Sequence, residues 1–241
     1  MKKSLTLLIP AYNEEKHLKN AVEYYYSYLK NLNGLKDFEI IICVNGSTDR
    51  TAEIARKLYK KYKEVRYVIT PKKGIGIAIK LGIEHATKNI ITYMPGDGEI
   101  EAEFIGKALK LMKSNGFIIG TRRNSEYKKG IARKILSYGF NFVVSILLSK
   151  EVKEATSVKM FCGDWAKEVT RYSESDGFEW QIEIVYCALM DNFRIGHAVS
   201  NTLSKKEKSS VNPMGVAIKM FKACLKYGLK YRYKQLSEIG W

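Results

Sequence analysis

Asp97 and Glu99 stand two residues apart on a Gly-flanked turn, Pro95-Gly-Asp-Gly-Glu99, that ends the short apolar run Ile90–Met94. Carboxylates at i and i+2, just past a buried strand, can point the same way. That suits a hard divalent cation, which takes oxygen ligands and keeps waters and substrate phosphates in its other positions. The same residues are also ordinary turn chemistry, and the turn by itself leaves both readings open. Arg133 and Ser137 lie four apart in a run that reads as helix, hence on one face. A guanidinium fork beside a hydroxyl can grip one phosphate group; alone, the pair reads more readily as a solvated Arg next to a helix Ser. Asn45 and Asp49 suit a turn and a helix cap. Glu183 would serve as a base only toward a hydroxyl acceptor; among aromatics on a helix it reads as structural.

The elements that must carry these residues alternate. Leu5–Ile9, Phe38–Val44, Val65–Thr70, Ile90–Met94 and Phe117–Thr121 read as strands. Between them, helical spacing of apolar residues predicts helices over 14–32, about 49–62, 74–87 and 101–114. Such alternation predicts a Rossmann-like, mainly parallel central sheet with helices on both faces, an α/β fold. Ligands in sheets of this kind bind beyond the carboxyl ends of the strands. Those ends carry Pro10-Ala-Tyr-Asn-Glu14, Asn45-Gly-Ser-Thr-Asp49, Pro71-Lys-Lys-Gly-Ile-Gly76 and Pro95-Gly-Asp-Gly-Glu99, so the polar loops should gather at one edge. No GxxxxGK[ST] occurs, which excludes a P-loop. Gly74-Ile-Gly76 is a weak dinucleotide signal and follows the third strand rather than the first. Further on, 131–149 and 176–190 read as helices, 194–202 as a strand, 204–210 as a basic loop and 214–233 as helix. Neither an internal repeat nor a low-complexity stretch occurs.

Composition sets the partner class. Across 241 residues, 41 Lys and Arg against 25 Asp and Glu give a formal charge of +16. That field favours anions: nucleic acid, nucleotide phosphates or an acidic membrane face. No recognisable nucleic-acid motif interleaves with the basic residues, so nucleic acid is not expected. Cys43, Cys162, Cys187 and Cys224 are far apart in apolar contexts and read as free thiols of a reducing compartment. His17, His85 and His197 form no zinc-like cluster. The apolar run after Met1-Lys-Lys-Ser4 is short, stops at Pro10 and leads into acids, which reads as a first strand rather than a signal peptide. Nor does any run of about 20 apolar residues predict a spanning helix.

Taken in order, several segments resemble family-2 glycosyltransferases of GT-A fold, and within them the dolichol-phosphate mannose synthase group of polyprenyl-phosphate glycosyltransferases. They are Leu8-Ile-Pro-Ala-Tyr-Asn-Glu-Glu15, Glu39-Ile-Ile-Ile-Cys-Val-Asn-Gly-Ser-Thr-Asp-Arg-Thr51, Lys73-Gly-Ile-Gly-Ile-Ala78 and the acidic turn at 95–99. Ile119-Gly-Thr-Arg122, Arg133-Lys-Ile-Leu-Ser137 and Gly177-Phe-Glu-Trp-Gln-Ile-Glu183 extend the likeness over roughly residues 4–212. The resemblance implies an inverting hexosyltransferase with a nucleotide-sugar donor, of GDP-mannose or UDP-glucose type, and a Mg²⁺ or Mn²⁺ ion. Pro10, Tyr12 and Glu14 would contact the nucleotide, and Asn45 stands where an Asp usually reads the base. Lys73, Gly96 and Asp97 would complete the donor side. Asp97 and Glu99 fall on the metal motif; Arg122, Arg133 and Ser137 fall where the group holds an acceptor phosphate. Two departures stand out. Pro95 replaces the first acid of the metal motif, and Lys205 stands in for a family arginine, although the two are not interchangeable at phosphates.

A lipid phosphate acceptor carries its own anionic oxygen and needs no general base. A saccharide hydroxyl acceptor on the same fold is the alternative, and a non-catalytic basic binding protein on a decayed transferase fold the remoter one. Two stretches suit a greasy acceptor. Ile135–Leu148 is apolar but too short to cross a bilayer. In the tail, Lys219, Lys222, Lys226 and Lys230 form one basic stripe, with Met220, Phe221, Cys224, Leu225 and Tyr231 largely off it. A helix of this pattern lies in the headgroup plane of anionic lipid; packing on the domain or in a homodimer is the other reading. The expected organisation is a catalytic domain over 1–212 and a basic amphipathic helix over 213–241. The expected place is cytoplasmic, peripheral on the cytoplasmic face of the membrane.

Overall fold

The computed structural model describes residues 3–121, 143–149, 152–203 and 213–238. Its strands are β1 (Lys3–Ala11), β2 (Leu35–Asn45), β3 (Val65–Thr70), β4 (Ile90–Tyr93), β5 (Phe117–Thr121), β6 (Lys159–Cys162) and β7 (Ile195–Val199). Its helices are α1 (Leu18–Lys30), α2 (Thr51–Lys61), α3 (Ile75–His85), α4 (Glu103–Asn115), α5 (Gly163–Arg171), α6 (Trp180–Met190) and α7 (Pro213–Glu238). Residues 143–147 are helical as well.

The strands form a seven-stranded sheet in the order β3-β2-β1-β4-β6-β5-β7. Neighbouring pairs β3–β2, β2–β1, β1–β4 and β5–β7 run parallel, while β6 runs antiparallel to both β4 and β5. Two reversals cancel, so β5 points the same way as β4 and ends at the same edge. The order turns back at β1, with β2 and β3 to one side and β4 to the other. That is where a crevice opens at the carboxyl ends of a doubly wound sheet.

Burial explains why these runs are strands. Leu5, Leu7, Leu8 and Ile9 of β1 and Ile40, Ile41 and Ile42 of β2 are all fully buried. Successive residues therefore lose water on both faces of the sheet, as helix-covered parallel strands require. Each such side chain stabilises the fold by about 1.5–3 kcal/mol. Helix α3 lies so close that a Cβ on Gly82 would meet Cys43 Sγ at 2.7 Å.

The starts of the strands are closed by a buried carboxylate. Glu39 Oε1 accepts hydrogen bonds from Thr6 Oγ1 (2.7 Å), Thr87 N (2.6 Å) and Thr87 Oγ1 (2.9 Å), and Arg66 Nη1 reaches Oε2 at 3.0 Å. Burial pushes this carboxyl upward, but the donors outweigh it and hold it below the ordinary range.

Several expectations need correction. β6 and α5 have no counterpart in the sequence reading, since Lys159-Met-Phe-Cys162 is too short for its alternation to register. α1 begins at Leu18, not at Glu14, because the amides of Glu14 and Glu15 donate to Thr51 Oγ1 (2.8 Å) and Asp49 Oδ2 (3.1 Å) instead of entering a helix. α6 begins at Trp180, not at Asp176. The Asp176 carbonyl accepts Ile77 N at 3.1 Å, which ties that segment to the start of α3. A Cβ on Gly74 would meet the same carbonyl at 2.3 Å, so only glycine permits this approach. In α7 the four lysines are exposed, but Met220 and Cys224 turn into the molecule and only Phe221 and Leu225 of that apolar set are exposed. The predicted helix over 131–149 is described only in its last part.

Candidate functional site

Pro10, Tyr12, Glu14, Asn45, Lys73, Gly96, Asp97 and Glu99 all fall at the carboxyl edge of β1, β2, β3 and β4 or in the loops just beyond it. The loops after β1 and β2 are bound to each other. Asn13 N donates to Ser47 Oγ (3.1 Å), Thr48 N donates to Asn13 Oδ1 (2.8 Å), and Ser47 Oγ donates to the Ala11 carbonyl (3.3 Å). Asp49 serves this wall as a cap: its Oδ1 accepts from Thr51 N (3.0 Å) and Thr51 Oγ1 (2.5 Å).

Asn45 ends β2 and is buried, and its Nδ2 donates to the Gly74 carbonyl at 3.3 Å. That bond directs the amide so that its oxygen remains the acceptor offered to a ligand. Lys73 crosses from the loop after β3 to the loop after β1. Its ammonium donates to Tyr12 Oη at 2.9 Å and lies 4.1 Å from the Tyr12 ring centroid. A fixed positive charge and an aromatic face thus share one side of the crevice.

The acidic turn faces them across β1. Gly98 N closes it onto the Pro95 carbonyl at 3.2 Å, and Gly98 has a φ of 69°, a conformation glycine adopts without strain. Asp97 Oδ1 accepts from Glu99 N at 2.9 Å, which sets the carboxylate upright on the turn. Gly96 lies against the Pro10 carbonyl, where an added Cβ would come within 3.0 Å. The chain beyond the turn pairs with the chain beyond β7: Leu203 N donates to the Glu99 carbonyl at 2.6 Å, and Glu101 N to the Asn201 carbonyl at 3.1 Å. Leu203, two residues before Lys205, thus lies beside Glu99.

Electrostatics at the turn run against the strand-start network. Burial raises the Glu14 carboxyl above its ordinary value; a hydrogen bond from His17 opposes this, and the charges of Asp97 and Asp49 add to the rise. Tyr25, whose hydroxyl donates to the Ile100 carbonyl at 3.0 Å, is likewise raised by burial first and then by Asp97, Tyr24 and Glu99. The carboxylates of this edge lie close enough that Asp97 acts on both Glu14 and Tyr25.

That donor set fits a hard divalent cation: carboxylate oxygens only, on a half-buried turn, close enough to feel one another. Among the described residues no group of three His, Cys, Asp or Glu makes a complete cage. A cation at this turn would take its remaining ligands from water and from a ligand's phosphates.

Arg122, Arg133, Ser137 and Lys205 lie outside the described residues. β5 ends at Thr121 on the site edge, and Arg122 is the next residue. Glu183, the one possible base noted from sequence, is occupied in the fold. Burial raises its carboxyl, but bonds from Glu174 N (2.9 Å), Ser173 Oγ (2.8 Å) and Ser175 N (3.1 Å), with Tyr227 beside it, leave it below the ordinary range.

Sequence reasoning missed the support under the acidic turn. Lys159 of β6 is fully buried, and its Nζ lies 2.7 Å from the Ala155 carbonyl, 2.8 Å from the Ser157 carbonyl, and 3.2 Å from both Gln181 Oε1 and Tyr93 Oη. Tyr93 in turn donates to the Ser157 carbonyl at 2.9 Å. This cluster anchors the end of β4, two residues before Pro95, to β6 and α6. The only trace in the sequence is a lysine opening an apolar tetrapeptide; nothing marks Gln181.

The fold and this edge belong together. The model of Glycosyl transferase family 2 matches residues 6–166, and the chain belongs to that family. It is 30% identical over 179 residues to a dolichyl-phosphate beta-glucosyltransferase of Trichomonas vaginalis, which covers 68% of this chain and 54% of that protein. It is 27% identical over 248 residues to the dolichyl-phosphate beta-glucosyltransferase of Homo sapiens, which covers 95% of this chain and 76% of the other. Among solved structures, glucosyl-3-phosphoglycerate synthase of Mycobacterium tuberculosis in complex with uridine diphosphate superposes with a TM-score of 0.69 at 13% identity. That match covers 94% of this chain and 80% of the other, and it identifies the fold as GT-A.

Proposed function

We propose that this protein transfers glucose, with inversion, from a nucleotide-sugar to a polyprenyl phosphate presented at the cytoplasmic face of a membrane. The observation that carries the reading is the meeting of two unlike walls at one sheet edge. On one side stand the Asn45 acceptor and the Lys73–Tyr12 pair; on the other stand the clustered acids Asp97, Glu99 and Glu14. A nucleoside diphosphate has matching parts, a base with N–H donors and a diphosphate that needs cations.

Asp97, helped by Glu99, would hold Mg²⁺ or Mn²⁺, and the bound ion supplies Lewis-acid neutralisation of the leaving diphosphate. Asn45 Oδ1 accepts from the base, and Tyr12 gives it an apolar wall. Lys73 and Lys205 add positive charge on the phosphate side, where charge grows as the bond to the anomeric carbon breaks. Arg122, Arg133 and Ser137 grip the acceptor phosphate, whose oxygen is already an anion and attacks without a base. With Glu183 engaged in four contacts, the reading does not depend on a carboxylate base.

The choice of glucose rests on the names of the two dolichyl-phosphate relatives, and mannose is its competitor. The test is transfer of radiolabel to the organic phase from UDP-glucose or GDP-mannose, with dolichyl phosphate and Mn²⁺. Label from UDP-glucose that disappears with EDTA is the expected result. Label only from GDP-mannose would overturn the sugar, label on a soluble saccharide instead of the lipid would overturn the acceptor, and none from any donor would overturn the enzyme. In parallel, uridine diphosphate with Mn²⁺ should raise the melting temperature by mass action.

A further inference from the structure

Helix α7 carries a row of apolar side chains that faces away from the protein. Ile218, Phe221, Leu225, Leu229 and Tyr233 follow one another at spacings of three or four, which puts them on one face. Leu229 is 61% and Tyr233 77% exposed, and the other three are exposed as well. The opposite face of the helix, with Met220, Ala223, Cys224 and Tyr227, is buried. Its seat is firm: Tyr227 packs on Tyr186 of α6 with ring centroids 5.2 Å apart, and a Cβ on Gly228 would strike Leu147 at 2.5 Å. The outward row is therefore not the core side of a loosely placed helix. Over the 15 residue steps from Ile218 to Tyr233 it runs about 22 Å at 1.5 Å per residue.

Charge frames the row. Lys219, Lys222, Lys226 and Lys230 line one flank, all exposed, with Lys226 paired to Glu174. On the other flank Arg232 donates from Nε to the Ile146 carbonyl at 3.1 Å, and Ile146, itself 51% exposed, extends the apolar surface. Between Pro213 and Glu238 the sole acid is Glu238 at the end.

We propose that this face of α7, with Ile146 beside it, is a docking surface for an anionic lipid bilayer, on which the helix lies in the headgroup plane. Apolar side chains enter the acyl boundary while the flanking lysines meet lipid phosphates and carboxylates. No described helix is long and apolar enough to cross a membrane, so the contact is along the helix and not through the bilayer. A second copy fits worse. A two-fold contact over the row would bring basic flank against basic flank, each with Glu174 beside Lys226 as the acid against four lysines, and like charges in contact destabilise an interface. The surface deepens the proposed transfer reaction by giving the lipid of the acceptor a place beside the domain. Its test needs neither donor nor acceptor.

The test is flotation of the full chain with phosphatidylcholine vesicles, with and without phosphatidylserine and without any polyprenyl phosphate. The protein should float with the anionic vesicles, bind the neutral ones more weakly, and detach from the anionic ones as NaCl is raised. Phe221→Ser/Leu225→Ser/Leu229→Ser and Lys219→Glu/Lys222→Glu/Lys230→Glu should each weaken partitioning at least about tenfold with unchanged helicity and melting. A Phe221→Trp variant reads the contact without removing apolar surface, through quenching of its fluorescence by brominated lipid. Flotation of both triple variants like the parent, absence of binding by the parent, or an unquenched Trp at 221 would overturn the proposal. So would a lipid-free dimer that the serine variant dissolves, since a second copy would then cover the row.

Discussion

Glu14 and Glu39 lie toward opposite ends of the same parallel strands, and their carboxyls respond to burial in opposite ways. At the strand starts, Glu39 is surrounded by two threonine hydroxyls, a backbone amide and Arg66, and it ends below the ordinary carboxylate range. At the strand ends, Glu14 has one weak partner in His17, a second acid in Asp97, and a raised value. A carboxylate that the fold has already satisfied holds the fold together. One set beside another acid has its ionised form disfavoured by burial and like charge, which is the setting the proposed cation would relieve. One end of the sheet is finished by folding; on the proposed reading the other is finished by a ligand.

The sharpest way to break that contrast is at Asp97. Asp97→Ala should lower kcat/KM for transfer at least about 10³-fold, the scale of losing a principal charge-stabilising group. Its melting temperature should stay close to the parent's, because the residue sits half-buried on a turn outside the core. Transfer that survives the change would remove the acidic turn from the site. Next comes Glu39→Gln, which should cost on the order of 3 kcal/mol of stability by leaving Arg66 and the threonine donors short of an anion, measured by urea unfolding. Since the folded value of Glu39 is depressed, its contribution is present above the unfolded carboxylate range and is lost as pH falls through the folded value. The parent should therefore lose stability on acidification more steeply than Glu39→Gln below about pH 4.5. An identical acid profile would show that the network is not what holds the strand starts. The smallest effect is expected for Glu14→Gln: Mn²⁺ dependence of transfer displaced by about tenfold and a melting temperature equal to or slightly above the parent's, as a like-charge contact is relieved. A large fall in stability would make Glu14 a second Glu39 and dissolve the comparison.

Much of the donor side was legible in the sequence because short-range rules sufficed. Continuous apolar runs gave β1, β2 and β4, and the polar loops after them had to share an edge once the strands ran parallel. The loops that hold Asn45, Lys73 and Asp97 were placed at that edge in this way, while the roles of Asn45 and Lys73 toward a donor came from the resemblance. What stayed hidden depends on pairing between distant segments. β6 is four residues long and antiparallel, so neither its length nor its alternation stands out from a loop. Lys159 reads as a surface residue until β4 and α6 close over it. Glu14 and Asp176 look like helix starts, and each is instead drawn off by a hydrogen bond to another element. In α7 the lysine stripe was plain, but which apolar residues face outward was not. Met220 and Phe221 are neighbours in sequence, and only the position of α6 decides that the first is covered and the second is bare.

The bonds that join the loops after β1 and β2 have a bearing on recognition. Asn13, Ser47 and Thr48 hold each other with side-chain and backbone groups of both loops, so that wall is ordered before any nucleotide arrives. Preorganisation of this kind removes the entropic penalty of arranging a binding loop at the moment of contact. On the proposed reading the base would meet a rigid template, and selection among nucleotides would be a matter of fit rather than of closure. Whatever binding energy the base contributed would then remain available for the bond that the proposed transfer has to break.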